Sequence, residues 1–122
     1  MASRKFENKS YHLEDGLFGM VFLFGQVQLD AGADTASVSG KGFASVAYDS
    51  AAGQYEVTLE DSFAALHGAQ LSFELAGDVD GAVHLDSFDA AAGTFKFQWQ
   101  EAGSPAQPSV AAKVHVFLAL KG

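Results

Sequence analysis

Cysteine is absent from this chain. Its absence removes disulfides, thiolate metal sites and thiol nucleophiles together. A secreted domain of this size can do without disulfides, so the compartment is weakly constrained, and a cytosolic origin is the simpler reading. Proline is scarce, at 2 residues. Basic side chains are also few: 7 Lys and Arg stand against 15 Asp and Glu, a net charge of −8. A surface this acidic repels phosphate backbones, so nucleic acid is not an expected partner. Long apolar runs are missing too. Leu17 to Phe24 is strongly apolar, but Gly19 breaks it and Glu14 and Asp15 abut it. That is too short to span a bilayer and wrongly flanked for a signal peptide. It reads as a buried strand, with no targeting or transmembrane segment and no membrane partner.

What is present points to an all-β domain. The chain of 122 residues is one domain, long enough to bury a core unaided. It carries 11 Phe and 13 Gly. Many aromatics with many glycines and few helical runs fit strands joined by tight turns. One stretch occurs twice. Tyr48-Asp49-Ser50-Ala51-Ala52-Gly53-Gln54-Tyr55-Glu56-Val57 returns as Phe88-Asp89-Ala90-Ala91-Ala92-Gly93-Thr94-Phe95-Lys96-Phe97. Each copy reads as a β-hairpin, its Asp capping the turn and its Gly taking the positive φ that restarts the strand. The similarity fades outside these ten positions. Turn chemistry chosen twice is therefore favoured over internal duplication.

Around these hairpins the chain divides into an N-terminal basic arm, residues 1–10, and a β-sandwich domain, residues 11–122. The arm holds Arg4, Lys5 and Lys9. A basic tail on an acidic body suits docking on an acidic partner or a neighbouring copy, or else is a solvated terminus. Gly16 to Asp30 forms one long strand or two. Its first half is apolar on both faces, so it is covered on both sides or meets another subunit. Its second half alternates, with Val27 and Leu29 against Gln26, Gln28 and Asp30. Ala31 to Gly42 is a loop or a weak edge strand. Tyr55, Val57 and Leu59 share a face, as do Leu71, Phe73 and Leu75, and Phe95, Phe97 and Trp99. Val114, Val116, Leu118 and Leu120 align against Lys113, His115 and Phe117. Glu60 to Gly68 is the one helical candidate: Asp61 as N-cap, Phe63 and Leu66 three apart, Gly68 at C′. The expected fold is a single jelly-roll-like β-sandwich of seven or eight strands, with one short helix near residues 61–67.

No residue set amounts to an active site. His12, His67, His84 and His115 show no ligand spacing, and a hydrogen-bonded strand histidine is the commoner state. His84 and His115 meet only if their strands are neighbours. Asp78-Val79-Asp80-Gly81 lacks the remaining ligands and the flanking helices of a calcium loop. Asp86 and Asp89 could join it as a weak site, but a polar turn is the plainer reading. There is no Gly-x-Ser-x-Gly elbow and no glycine-rich loop leading into a helix. Glu60 and Asp61 are adjacent and point apart. Trp99, Tyr48 and Tyr55 would serve a sugar platform, or more simply a core. The expectation is a non-enzymatic protein with no catalytic residues, metal or cofactor.

Gly42 to Leu66 carries a resemblance. Gly42-Phe43-Ala44-Ser45-Val46-Ala47-Tyr48, then Gly53-Gln54-Tyr55-Glu56-Val57-Thr58-Leu59-Glu60-Asp61-Ser62-Phe63 and Leu66, resembles small virion proteins of tailed bacteriophages. These include capsid decoration, or cement, proteins. The likeness covers about two thirds of the chain, rests on fold-forming residues, and leaves out the arm and Gly16–Gly25. It implies a β-sandwich that assembles as a homo-oligomer, a trimer foremost, on the outer surface of a capsid put together in the host cytoplasm. Its partners would be the major capsid protein and copies of itself. The interface expected from the arm and the apolar run is Arg4, Lys5, Phe6, Lys9, Leu17, Phe18 and Phe22. The other reading is a carbohydrate- or receptor-binding β-sandwich, needing an exposed aromatic platform.

Overall fold

The structure is a computed structural model that describes residues 12–13, 20–50 and 52–122. The expected interface residues Arg4, Lys5, Phe6, Lys9, Leu17 and Phe18, and the arm as a whole, lie outside the described residues. Ten strands follow one another: β1 (His12–Leu13), β2 (Met20–Leu29), β3 (Ala36–Ser39), β4 (Phe43–Asp49), β5 (Gln54–Leu59), β6 (Ala65–Leu75), β7 (Gly81–Asp89), β8 (Thr94–Glu101), β9 (Ser104–Pro105) and β10 (Ala112–Lys121). They form two antiparallel five-stranded sheets.

In the first sheet β10 runs between β2 and β6. It pairs with β2 from Ala112 opposite Leu29 to Lys121 opposite Met20. β1 and β3 share the far edge of β2, β1 at Met20–Val21 and β3 at Gln26–Leu29. The second sheet has the order β4-β5-β8-β7, with β9 on β8 beyond the end of β5. Alternation decides which side chains meet between the sheets. Ala112, Val114, Val116, Leu118 and Leu120 of β10 face Tyr55, Val57 and Leu59 of β5 and Phe95, Phe97 and Trp99 of β8 in one buried cluster. Phe73 of β6 meets Trp99 edge-on at 5.0 Å, a contact from sheet to sheet. Gly25 of β2 lets the Phe43 ring of β4 sit against the backbone: a Cβ there would lie 2.6 Å from the ring. The two-sheet, all-β architecture agrees with the sequence.

Both copies of the repeated stretch are hairpins, β4–β5 and β7–β8. Gly53 and Gly93 take φ of 67° and 70°, and each donates its N–H to the Asp four residues earlier, at 2.8 and 2.9 Å. Asp89 Oδ1 also accepts the Ala92 N–H at 3.1 Å. The hairpins join through their second arms. Tyr55 opposes Phe97, Val57 opposes Phe95, and Glu56 opposes Lys96. Because Phe95 and Phe97 are the counterparts of Tyr55 and Val57, this register relates the hairpins by an approximate two-fold axis through the Glu56–Lys96 pair.

Two expectations are corrected. No helix forms near residues 61–67: a bend at 60–64 leads directly into β6. The backbone donors of that stretch are taken by other elements. Phe63 N–H bonds to Ala90 O and Ala64 N–H to Lys121 O, both at 2.8 Å, and from Ala65 opposite Lys121 onward the chain pairs with β10, so the N–H groups that would start an i→i−4 ladder after Asp61 belong to the sheet. The jelly-roll connection is also not what the strand order shows. First and last long strands pair, but β4–β5 and β7–β8 lie side by side as local hairpins of one sheet, rather than as strands wound into nested pairs.

Candidate binding face

A strand buried on one face alternates polar and apolar residues, and the outward positions of an antiparallel sheet are ordinarily polar. β2 breaks that rule at one end. Val21, Leu23, Gly25, Val27 and Leu29 point inward, so Phe22 and Phe24 must point outward, on the side of Gln26 and Gln28. On β10, Phe117 shares the outward side with Lys113 and His115. The register then sets Phe24 opposite Phe117 and Phe22 opposite Ala119.

Three phenyl rings therefore gather on the outer face of the first sheet. Phe24 and Phe117 lie 4.9 Å apart, Phe22 and Phe117 5.9 Å. Phe24 is 61% exposed, and it is the one large hydrophobic side chain among the described residues to be exposed. Next to them Ala119 opposes Gly68, where a Cβ would meet open space. The patch thus has a raised aromatic part and a flat small-residue part.

Further along the same strands the face turns polar. Gln26, His115 and Ser72 stand in one row, Gln28, Lys113 and Glu74 in the next. Glu74 pairs with His115 Nε2 at 3.5 Å and with Lys113 Nζ at 3.7 Å. A shallow open depression of about 390 Å³ lies at the boundary, between the Phe24 and Phe117 rings and Gln26, Gln70, Ser72 and His115.

The outer face of the second sheet differs. It carries Glu56, Lys96, Gln54 and Gln98, with Asp86 accepting from Gln54 Nε2 at 2.6 Å and pairing with His84 Nε2 at 2.7 Å. Gln54, Asp86 and His84 there are partnered with each other, as on an ordinary solvated face.

Of the expected interface residues, Phe22 is described, and it stands in the aromatic patch. The apolar run Leu17–Phe24, read as covered on both sides or as meeting another subunit, is uncovered at Phe24 by any described residue. The candidate platform residues are elsewhere. Trp99 and Tyr55 are fully buried, and Tyr48 packs on Tyr55 at 4.7 Å. His84 and His115 stand on the outer faces of different sheets and do not meet. No group of three His, Asp or Glu able to hold a metal occurs among the described residues. Phe24 and Phe117 were missed as site residues, although carrying the parity of Gln26 and Gln28 back through Gly25 marks Phe24 as outward.

The fold and this face define a class, a two-sheet antiparallel β-sandwich with an aromatic patch on one outer face. No protein-family model, curated protein or solved structure matches the chain.

Proposed function

We propose that this protein is a non-enzymatic structural protein that acts by assembling, and that its assembly decorates and stabilises a bacteriophage capsid. The supporting observation is the cluster of exposed Phe24 with Phe22 and Phe117, which no described residue covers, on a sheet face that would ordinarily be polar. Burying apolar surface contributes about 25 cal/mol per Å², and repetition over a shell turns modest contacts into strong avidity. The resemblance supplies the partners, the major capsid protein and further copies of this chain, and the setting, the outer surface of the virion. The basic arm would add a second contact through Arg4, Lys5 and Lys9, with Phe6 as an apolar anchor.

Light scattering on the purified chain tests the assembly: an oligomer is expected, the trimer being the unit that the resemblance implies. The double variant F24S/F117S should weaken association at least about tenfold while keeping its thermal midpoint. A monomeric wild type, or an unaffected double variant, overturns the reading. Deleting residues 1–10 without loss of capsid occupancy overturns the arm's part in it.

The depression beside Phe24 and Phe117 favours a second reading, a glycan site. Ring faces beside two amides, two hydroxyls and an imidazole suit the apolar and polar sides of a sugar. Trp99 is buried, so its fluorescence would not report binding; chemical-shift changes at Gln26, Gln70 and Ser72 on glycan addition would.

A further inference from the structure

Sheet edges are exposed rows of unpaired backbone groups, and proteins protect them. In the first sheet, β1 and β3 cover the outer edge of β2, and Gly40 lies against the Phe24 carbonyl between them. In the second, the edge strand β4 is broken by an irregularity between Phe43 and Ser45. The other edge, β7, has one between Leu85 and Ser87 and carries His84, Asp86 and Asp89.

β6 is less protected: its irregularity, by His67 at its start, leaves the rest of the strand regular. At 11 residues it is the longest strand described, and among the described residues it pairs with β10 alone. Ala69 to Leu75 run in unbroken register, and the one shift lies near that start, by Leu66 and Gly68. It holds no proline and no lysine, its histidine, His67, lies beside the shift, and its one carboxylate, Glu74, is already paired to His115 and Lys113. Its inward side chains Leu66, Leu71, Phe73 and Leu75 are half-buried, whereas those of neighbouring β10 are buried. The core is therefore left half-open along this edge.

We propose that β6 takes the β6 of a second copy, antiparallel about a two-fold axis at Leu71, to make one continuous sheet. The strand is self-complementary in that register. Gln70 opposes Ser72, an amide against a hydroxyl. Ala69 opposes Phe73, small against large on the core side. Glu74 opposes Gly68, where a side chain has open space. No like charges are set opposite each other. The added strand covers the half-buried row and places the aromatic patches of both copies on a single extended face. The inference rests on the assembly reading but uses a different surface.

A two-fold contact of this kind is isologous, so it yields an even number of chains; combined with a trimer it yields a hexamer. Light scattering should find a dimer or hexamer. The double variant Q70K/S72K, which sets lysine against lysine twice, should halve that number while keeping its thermal midpoint. Single cysteines in this cysteine-free chain read the register. At the axis, opposed Cα atoms lie about 4.5–5.5 Å apart, within disulfide reach, so L71C should cross-link and Q70C and S72C much less. A trimer indifferent to Q70K/S72K, or cross-linking no greater at 71 than at 70 and 72, overturns the β6 pairing and leaves the aromatic-face reading standing. A monomer overturns both.

Discussion

Tyr55 shows how a single side chain can be packed well and satisfied badly. Its ring is fully buried, stacked on Phe97 at 5.3 Å, yet its hydroxyl has no hydrogen-bond partner among the described residues. Burial raises its pKa well above the ordinary tyrosine value, with smaller upward contributions from Tyr48, Asp34 and Asp30. An unpartnered buried hydroxyl costs roughly 1–3 kcal/mol. Tyr55→Phe should therefore leave stability unchanged or raise it by about 1 kcal/mol in urea unfolding at neutral pH. The raised value also sets a pH limb. Stability is intact below about pH 10, where an unfolded tyrosine ionises, and falls as pH rises beyond it. Tyr55→Phe should flatten that alkaline fall.

Glu101 behaves in the opposite sense. Desolvation works to raise its pKa, but the Ser109 N–H at 2.8 Å, the Trp99 indole N–H at 3.2 Å and the Ser109 hydroxyl outweigh it, and the net shift is downward. Its stabilisation is present above the ordinary glutamate range and is lost as pH falls through the depressed folded value. Glu101→Gln should lower the thermal midpoint at pH 7 and remove part of the acid-induced loss below about pH 4.3. Strand alternation places Tyr55 and Trp99 in the core. It says nothing of the orphaned hydroxyl, nor of Ser109, which a loop returns to the Glu101 carboxylate beside the Trp99 indole.

Among the elements, the hairpins were legible and the helix was not. A hairpin turn is closed by residues within it, so Asp89, Gly93 and their counterparts Asp49 and Gly53 can be read in order along the chain. The stretch around Asp61 has a local preference for a helical turn, but from Ala65 on the chain is drawn into pairing with β10, which comes from the far end of the sequence. β2 depends on a partner in the same way. Gly25 looks like a break in an apolar strand, and its use becomes visible only when Phe43 arrives from the other sheet. Gly25→Ala should cost roughly 1–3 kcal/mol, since the ring or the strand must move, measurable as a lower urea midpoint.

At the scale of the whole molecule, charge and apolar surface oppose each other. Each chain carries a net −8, so copies repel at long range. Association through the phenyl patch should strengthen as salt rises from about 0.01 to 0.15 M and the screening length shrinks from about 30 to 8 Å. Sedimentation across that range checks it. An assembly governed instead by Arg4, Lys5 and Lys9 on acidic surface would weaken with salt.

Periodicity of two along the chain was enough to choose strands, to pick the buried side of β5, β8 and β10, and to place both tight turns, because each rests on neighbours in sequence. Which sheet a strand joined, how the two hairpins met about Glu56 and Lys96, and whether the second side of β2 found a cover were settled at a distance. Phe22 and Phe24 are the same residues on either outcome. Their exposure arises because β10 brings Phe117 beside them and no described element crosses over the three rings.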